Sequence, residues 1–362
     1  MMKNDFLVSV RCISYNHASY IKDCMNGFTM QETTFPYVCV IDDDASTDGE
    51  PEVITNYLAE YFNINDKDVV RNEETDDYRM IFAQHKTNKN CFFAVYFLKY
   101  NHYSIRKSRD SYVSEFVDGT KYMAICEGDD YWTDPEKLQK QVDYLEEHPK
   151  CTMVCNRTCL FSEKRKRIVG ESYCYNHSQY ADVKDIIYRG GLFIATCSLL
   201  FRQSIIKNEY PEYCRNCHVG DYPLQIAAAM KGKVYYFNDV MSVYRIENNA
   251  SWLGQRKKIN IKKRISTVQS EIDMLNGFAK DYPQYSRLFK QRIQAYINKS
   301  CPDRKCTISD QKEYLDAFED EINKYSCIWK VDLFIRKLRI IGLMHIYSFV
   351  SLCSFKEKRQ NY

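Results

Sequence analysis

Apolar runs and polar clusters alternate regularly in the N-terminal part of the chain. Residues 7–14 form an apolar-rich run of strand length that ends in Tyr15-Asn16-His17. Within residues 18–31, Ile21, Met25 and Phe28 recur at spacings of four and three, which predicts one buried face of a helix. Residues 37–41 predict a second strand, which ends in the polar cluster from Asp42 to Gly49. After Pro51, the side chains Val53, Ile54, Tyr57, Leu58 and Tyr61 again fall on one helical face. Strands that alternate with helices imply βαβ crossovers, and so an α/β fold with a parallel sheet.

The pattern is less legible over residues 63–117, where the aromatic run 91–98 reads either as a buried helix or as an inserted hairpin. Residues 122–126 predict a strand that runs directly into Glu127, Asp129 and Asp130. Leu138, Val142 and Leu145 then predict an amphipathic helix, with Thr133 and Glu136 in capping-box spacing and Pro135 in the first turn. Short strands are expected at 152–156 and 233–237, a basic turn at 164–167, and an extended segment at 240–245. Residues 190–202 begin as a glycine hinge and end as a strand, and a helix runs from about Asp221 to Met230. From Gln255 onward the pattern is mostly helical and charged, which suggests a domain over 1–254 and an extension over 255–362. Within the domain, residues 1–135 and 136–254 read as two halves.

In parallel α/β sheets, ligands bind outside the carboxyl ends of the strands. The polar clusters at 15–17, 42–48 and 127–130 all follow strands and are therefore expected to line one crevice. Glu127, Asp129 and Asp130 repel one another, and hard oxygen ligands of this kind suit Mg²⁺ or Mn²⁺. The plain alternative is an acidic loop turned to water. An Asp at the end of the second strand, Asp43 or Asp44, with the flat ring of Tyr15, could grip a pyrimidine base whose diphosphate the metal carboxylates would bind. Asp221, after flexible Gly220, could serve as a general base. Taken singly, Asp221 also reads as a helix cap, Asp44 and Asp48 as turn residues, and Tyr15 as a packed aromatic. Cys214-Arg-Asn-Cys217-His218 has haem-attachment spacing, but neither an export signal nor the second cysteine pair of a zinc ribbon accompanies it.

Composition sharpens this picture in three places. Thirty Tyr among 362 residues lean toward ligand grooves or interfaces. Sixteen Cys, with opening residues that enter a strand pattern instead of an apolar leader, fit a reducing cytoplasm. Residues 255–362 carry 22 Lys and Arg against 12 Asp and Glu, whereas residues 1–254 carry 29 against 36. A basic tail on an acidic body suits an anionic surface. Ile328, Val331, Ile335, Leu338 and Ile341 can share one helical face, and the apolar run that follows to Phe355 is short for a membrane crossing. Residues 328–355 are therefore expected either to lie in the inner-membrane interface or to pack on the domain. No nucleic-acid partner is expected.

Taken together, Val8-Ser-Val with Tyr15-Asn-His, Asp43-Asp-Ala-Ser-Thr-Asp-Gly49, Cys126-Glu-Gly-Asp-Asp-Tyr-Trp132 with Asp134-Pro135, Gly220-Asp-Tyr-Pro-Leu224 and Tyr244-Arg245 resemble the family 2 glycosyltransferases, in particular the bacterial ones that build surface polysaccharides. The resemblance covers roughly residues 5–254. It implies the A-type glycosyltransferase fold, with a Rossmann-like, mostly parallel sheet flanked by helices, and inverting transfer of a sugar from a nucleotide-sugar, with UDP as the expected nucleotide, to a glycan or lipid-linked glycan. It places Tyr15, Asn16, Asp43 and Asp44 at the nucleotide, Asp129 at the ribose, Asp130 at a divalent cation with Glu127 beside it, and Asp221 as catalytic base. Thr196, Cys197, Ser198, Tyr244 and Arg245 fall on the acceptor side. The chain departs from similar proteins at Glu247, where they carry a His; a glutamate can ligate a hard cation but repels a diphosphate. Residues 77–100 also read as an insertion. Two rival readings remain: a nucleotide-sugar-binding scaffold that has lost catalysis, and a nucleotidyltransferase, for which the N-terminal Gly-rich triphosphate loop is missing.

Overall fold

The computed structural model describes residues 6–65, 70–208, 210–247, 259–302 and 306–324. These fall into two compact units, one within Met1–Cys214 and Gly220–Lys257, the other within Arg215–Val219 and Lys258–Tyr362.

The first unit is built on one mixed sheet. Its strands are β1 (Val8–Ser14), β2 (Tyr37–Asp43), β3 (Arg71–Glu74), β4 (Tyr78–Gln84), β5 (Cys91–Leu98), β6 (Tyr122–Ile125), β7 (Tyr131–Trp132), β8 (Cys151–Ser162), β9 (Arg167–Ser172), β10 (Gln179–Tyr180), β11 (Leu200–Arg202) and β12 (Lys233–Ile246). They run in the order β10-β12-β8-β11-β6-β1-β2-β5-β4-β3, with β7 on β12 and β9 on β8. The centre, β6-β1-β2-β5, is parallel. Antiparallel strands β11 and β4 join it on either side. The α/β architecture with a parallel centre and flanking helices is therefore the one the periodicity predicts.

Alternate residues explain the layers. Val8, Val10, Cys12, Tyr37, Cys39, Ile41, Phe93, Val95, Tyr122 and Ala124 face one side. There they meet Ile21, Met25 and Phe28 of helix Ile21–Thr29 and Ile54, Tyr57 and Leu58 of helix Glu50–Tyr61. On the other side Phe116, from helix Asp110–Val117, stacks on Phe82 at 5.0 Å between ring centroids.

The structure decides between the two readings of one segment and differs from expectation at three other places. The run 91–98 is strand β5, not a helix. All eight of its residues are buried because β2 and β4 flank it and both faces are covered, so it shows no alternation. With β4 it makes the hairpin that was the other reading. The strand expected at 152–156 extends to Ser162, since β12 on one side and β9 on the other continue to pair with it. The two segments expected at 233–237 and 240–245 are one strand, β12, irregular between Phe237 and Val240. The helix after the acidic turn starts at Lys137, with no side-chain cap from Thr133. Asp134 turns the chain instead: its Oδ1 accepts from Glu136 N at 2.9 Å and its carbonyl from Lys137 N at 3.2 Å.

The second unit is helical: Ile261–Asp281, Ser286–Ser300, Ile308–Ala317 and the short Glu319–Asn323. Asn260 and Thr307 cap two of these through Lys263 N and Asp310 N. Phe278 stacks on Phe289, and buried Tyr314 donates to Ile297 O at 2.9 Å. Among the described residues, no helix is long and apolar enough to cross a membrane. Residues 328–355 lie outside the described residues.

Candidate functional site

The end of β6 is fixed to the end of β1. Cys126 N donates to Arg11 O and Gly128 N to Ile13 O, both at 3.1 Å. Gly128 sits where no side chain fits. A Cβ there would overlap Ser14 Oγ and lie 2.8 Å from Ser14 Cβ and 3.1 Å from His17 Nδ1. Gly128→Ala is expected to cost about 1–3 kcal/mol through overpacking. A lowered thermal midpoint checks this; an unchanged midpoint would contradict it. Beyond the turn, β7 pairs with Ser242 and Val243 of β12, and Trp132 Nε1 donates to Cys197 O at 2.8 Å.

This wedge brings the three acids together. One carboxylate oxygen from each of Glu127, Asp129 and Asp130 lies within 4.8 Å of the others, the one such metal-competent group among the described residues. Cys217 and His218 therefore form no comparable group there, and His218 Nδ1 meets Ser270 Oγ at 2.8 Å. Asp130 is 1% exposed. Its Oδ1 accepts from Arg245 N at 2.8 Å, while its buried Oδ2 has no hydrogen-bond partner. Burial first, then the charge of Asp129, holds Asp130 well above the usual carboxylate range.

Glu127 reaches the surface, yet protein atoms crowd its carboxyl. That desolvation, then the charges of Asp129 and Asp221, pushes it from 4.5 up to about 8. A carboxyl raised in this way keeps its proton in the folded state, so the cation-free protein loses stability as pH rises from 4.5 to about 8. A cation needs the carboxylate, so its affinity rises across the same window, and binding at neutral pH releases a proton. Calorimetry in buffers of different ionisation enthalpy is expected to register this release; buffer-independent heats would contradict it.

Arg245 stands behind the turn. Its Nη1 donates to Asp129 O at 2.6 Å and its Nε to Glu163 Oε1 at 3.0 Å, while Nη2 pairs with Asp23. Its guanidinium lies between the rings of Tyr20 and Tyr131, 5.1 and 4.6 Å from their centroids. Arg245, expected on the acceptor side, is 6% exposed, and its contacts brace the acidic turn.

Asp221 opens helix Asp221–Lys231, one residue after the N-cap Gly220. Its Oδ1 accepts from Tyr222 N at 2.8 Å and its Oδ2 from Thr196 Oγ1 at 3.3 Å. Burial raises its pKa, and its charge is felt at Glu127, so it belongs with the acidic turn. Half-buried Tyr244 faces the same group: after burial, Asp130, Glu127 and Asp129 are the main causes that raise its hydroxyl. Cys197 and Ser198, expected beside the acceptor, are fully buried in the turn Thr196–Ser198.

The residues expected at the nucleotide lie at the ends of β1 and β2, and most are bonded within the protein. Asn16, at φ 58°, accepts from Thr47 N on its Oδ1 at 2.8 Å. Asp43 Oδ1 accepts from Ser46 N at 3.2 Å, and burial lifts its pKa to about 7. The oxygens of Asp44 accept from His102 N at 2.7 Å and Tyr103 N at 3.0 Å, with Arg109 Nη1 at 3.6 Å. Tyr15 is half-buried on the loop after β1. Glu247, at φ 59°, takes a hydrogen bond from Ser162 Oγ and is not part of the three-acid group.

Two features escaped the sequence reading. Glu50 is fully buried and accepts from His17 N and Ser46 Oγ, each at 2.8 Å, and from Ser14 Oγ. Lys137 is also fully buried, 4.3 Å above the Trp132 ring, with Nζ on Gln141 Oε1 at 2.8 Å; burial lowers it to about 8. Charged residues next to helix starts gave no signal that either would point inward.

The fold is a glycosyltransferase fold. It matches S. aureus TarS, residues 1–349, solved in complex with UDP, with a TM-score of 0.56 and 15% sequence identity over 87% of this chain and 80% of that one. No family model matches the chain. The protein belongs to the same family as the uncharacterized proteins Rv1520 of Mycobacterium tuberculosis (strain ATCC 25618 / H37Rv) and Mb1547 of Mycobacterium bovis (strain ATCC BAA-935 / AF2122/97). Each is 30% identical over 276 residues, 75% of this chain and 69% of the relative.

Proposed function

We propose that the protein is an inverting glycosyltransferase of the family 2 type. It moves a sugar from a UDP-sugar to a hydroxyl of a glycan or lipid-linked glycan, in cell-surface polysaccharide synthesis on the cytoplasmic side of the membrane. The observation that carries this reading is that Asp221, on a separate helix, lies within electrostatic reach of the three-acid turn at the carboxyl end of the parallel strands. The fold shared with UDP-bound S. aureus TarS supports the choice of nucleotide.

The acids fit a hard divalent cation, Mg²⁺ or Mn²⁺: three carboxylates converge, and Asp130 Oδ2 is buried without a partner. Asp130 and Asp129, with Glu127, would hold it. When bound, such a cation neutralises charge on the departing diphosphate. Asp221 takes the proton from the acceptor hydroxyl as its oxygen attacks the anomeric carbon on the face opposite the nucleotide. The C–O bond to the diphosphate breaks and the diphosphate leaves with the electron pair. Burial suits Asp221 to this role by making its carboxylate more basic. Thr196 holds the carboxylate in place through Oδ2, and Arg245 keeps the acidic turn closed from behind. Binding of UDP that depends on Mn²⁺ and is lost in Asp130→Asn tests the donor site; tight UDP binding in EDTA would overturn the cation's part in it.

A further inference from the structure

Three side chains from three elements hold one short stretch of backbone. Gln225, on the helix that Asp221 opens, donates to Ile194 O at 3.2 Å. Trp132 of β7 donates to Cys197 O at 2.8 Å. Gln141, on helix Lys137–Glu147, donates to Ser198 O at 3.1 Å. All six residues are buried. Between these holds the chain makes the turn Thr196–Ser198 and offers Thr196 Oγ1 to Asp221 Oδ2.

Lys137 decides which way Gln141 faces. An ammonium has donors and no acceptor, so Gln141 Oε1 is the atom that meets Lys137 Nζ, 2.8 Å away. The amide nitrogen then points the other way, and both its protons are placed, one on Ser198 O and one on Asn156 Oδ1 at 3.3 Å. Asn156 is fixed in turn, because its Nδ2 donates to Arg157 O at 2.8 Å and Ser242 Oγ at 3.0 Å. A reversed Gln141 would set donor against donor at Lys137 and oxygen against oxygen at Ser198. Both mismatches would be buried, where unpaired polar groups cost most. We propose that Gln141 is a positioning residue for the base: through Ser198 O it sets the turn that keeps Thr196 on Asp221, and Lys137 orients its amide for that task. This rests on the transferase reading above, in which Asp221 takes the acceptor proton.

A double-mutant cycle on the full chain tests it. The reaction is hydrolysis with Mn²⁺ of UDP-glucose, UDP-galactose or UDP-N-acetylglucosamine, whichever the wild type cleaves fastest. Gln141→Glu can still accept from Lys137 but cannot donate to Ser198 O. It is expected to lower kcat by about tenfold to a hundredfold, the effect of a slightly misplaced catalytic group. The Kd of UDP, by calorimetry, is expected to stay within about twofold of the wild type. Thr196→Val is expected to show the same split. Because the two residues act in series, the double variant is expected to be no slower than the slower single variant, within about twofold. Losses that multiply, a kcat for Gln141→Glu equal to that of the wild type, or a loss carried by weaker UDP binding overturns the inference and leaves Asp221 as the base. If the wild type releases no UDP, or Asp221→Asn keeps full turnover, the reading beneath it falls as well. Should Gln141→Glu not fold, Lys137→Met combined with Gln141→Met, which removes the donor and the buried charge together, takes its place in the cycle.

Discussion

Asp221→Asn is expected to lower sugar transfer by about 10²–10⁴-fold at saturating donor, with UDP binding changed by about twofold or less. The substitution keeps the shape of the side chain. The amide oxygen that it introduces can still accept from a backbone N–H or from Thr196, so the start of the helix survives. What disappears is basicity. In the native protein burial raises this carboxyl, and no positive group is among the causes that act on it. A base raised this way captures a hydroxyl proton more readily than an exposed Asp does. The Asn variant has no such capacity, and on the proposed reading, in which the acidic turn holds the donor, the loss appears in kcat and not in donor affinity. Steady-state transfer, or hydrolysis of the donor by water, measures it. Full turnover in Asp221→Asn would remove Asp221 from the chemistry.

The second large effect is one of stability. Arg245→Met is expected to cost about 3–5 kcal/mol, the usual result of removing one partner from a buried ion pair, here the one with Glu163. Asp129 O, Glu163 and Asp23 lose their donor at once, and the two tyrosine faces that sandwich the guanidinium lose their cation. Glu163, only 8% exposed at its side chain, would keep its ion pair with Lys166 but lose the buried one. Lysine cannot replace Arg245, because a point ammonium does not reproduce a planar fork that reaches three acceptors in different directions. A thermal midpoint lowered by about 6–20 °C is expected for a unit of this size. A midpoint within a degree or two of the wild type would show that the network is not what holds the turn.

Much of this site was legible because its parts announce themselves locally. Strands β1 and β2 and the helices after them follow simple apolar periods, and Glu127, Asp129 and Asp130 stand at a strand end where charge has no structural reason to gather. Asp221 was visible for a similar reason, next to a glycine at a helix start. The rest depends on tertiary register. β5 is buried on both faces, so its sequence carries no period to read. Arg245 acts on Asp129 from more than a hundred residues away, once β12 pairs with β7. Glu50 turns inward only because the Ser14 end of β1 lies beside Asp43, and helix Glu50–Tyr61 begins at that point. Asp44 read as a ligand for a base, yet the backbone of residues 102–103 already meets its carboxylate, a contact made across the gap between two strand ends. Nothing in the local sequence of either segment encodes that meeting.

The most direct test is release of UDP. The full-length protein, incubated with a panel of UDP-sugars and Mn²⁺, is expected to liberate UDP slowly from one of them even without acceptor, and to stop when EDTA is added or Asp221 is replaced by Asn. Binding of UDP-sugars with no release from any of them, in the presence of acceptor glycans as well as water, would contradict a transferase and identify a protein that holds the nucleotide-sugar without cleaving it.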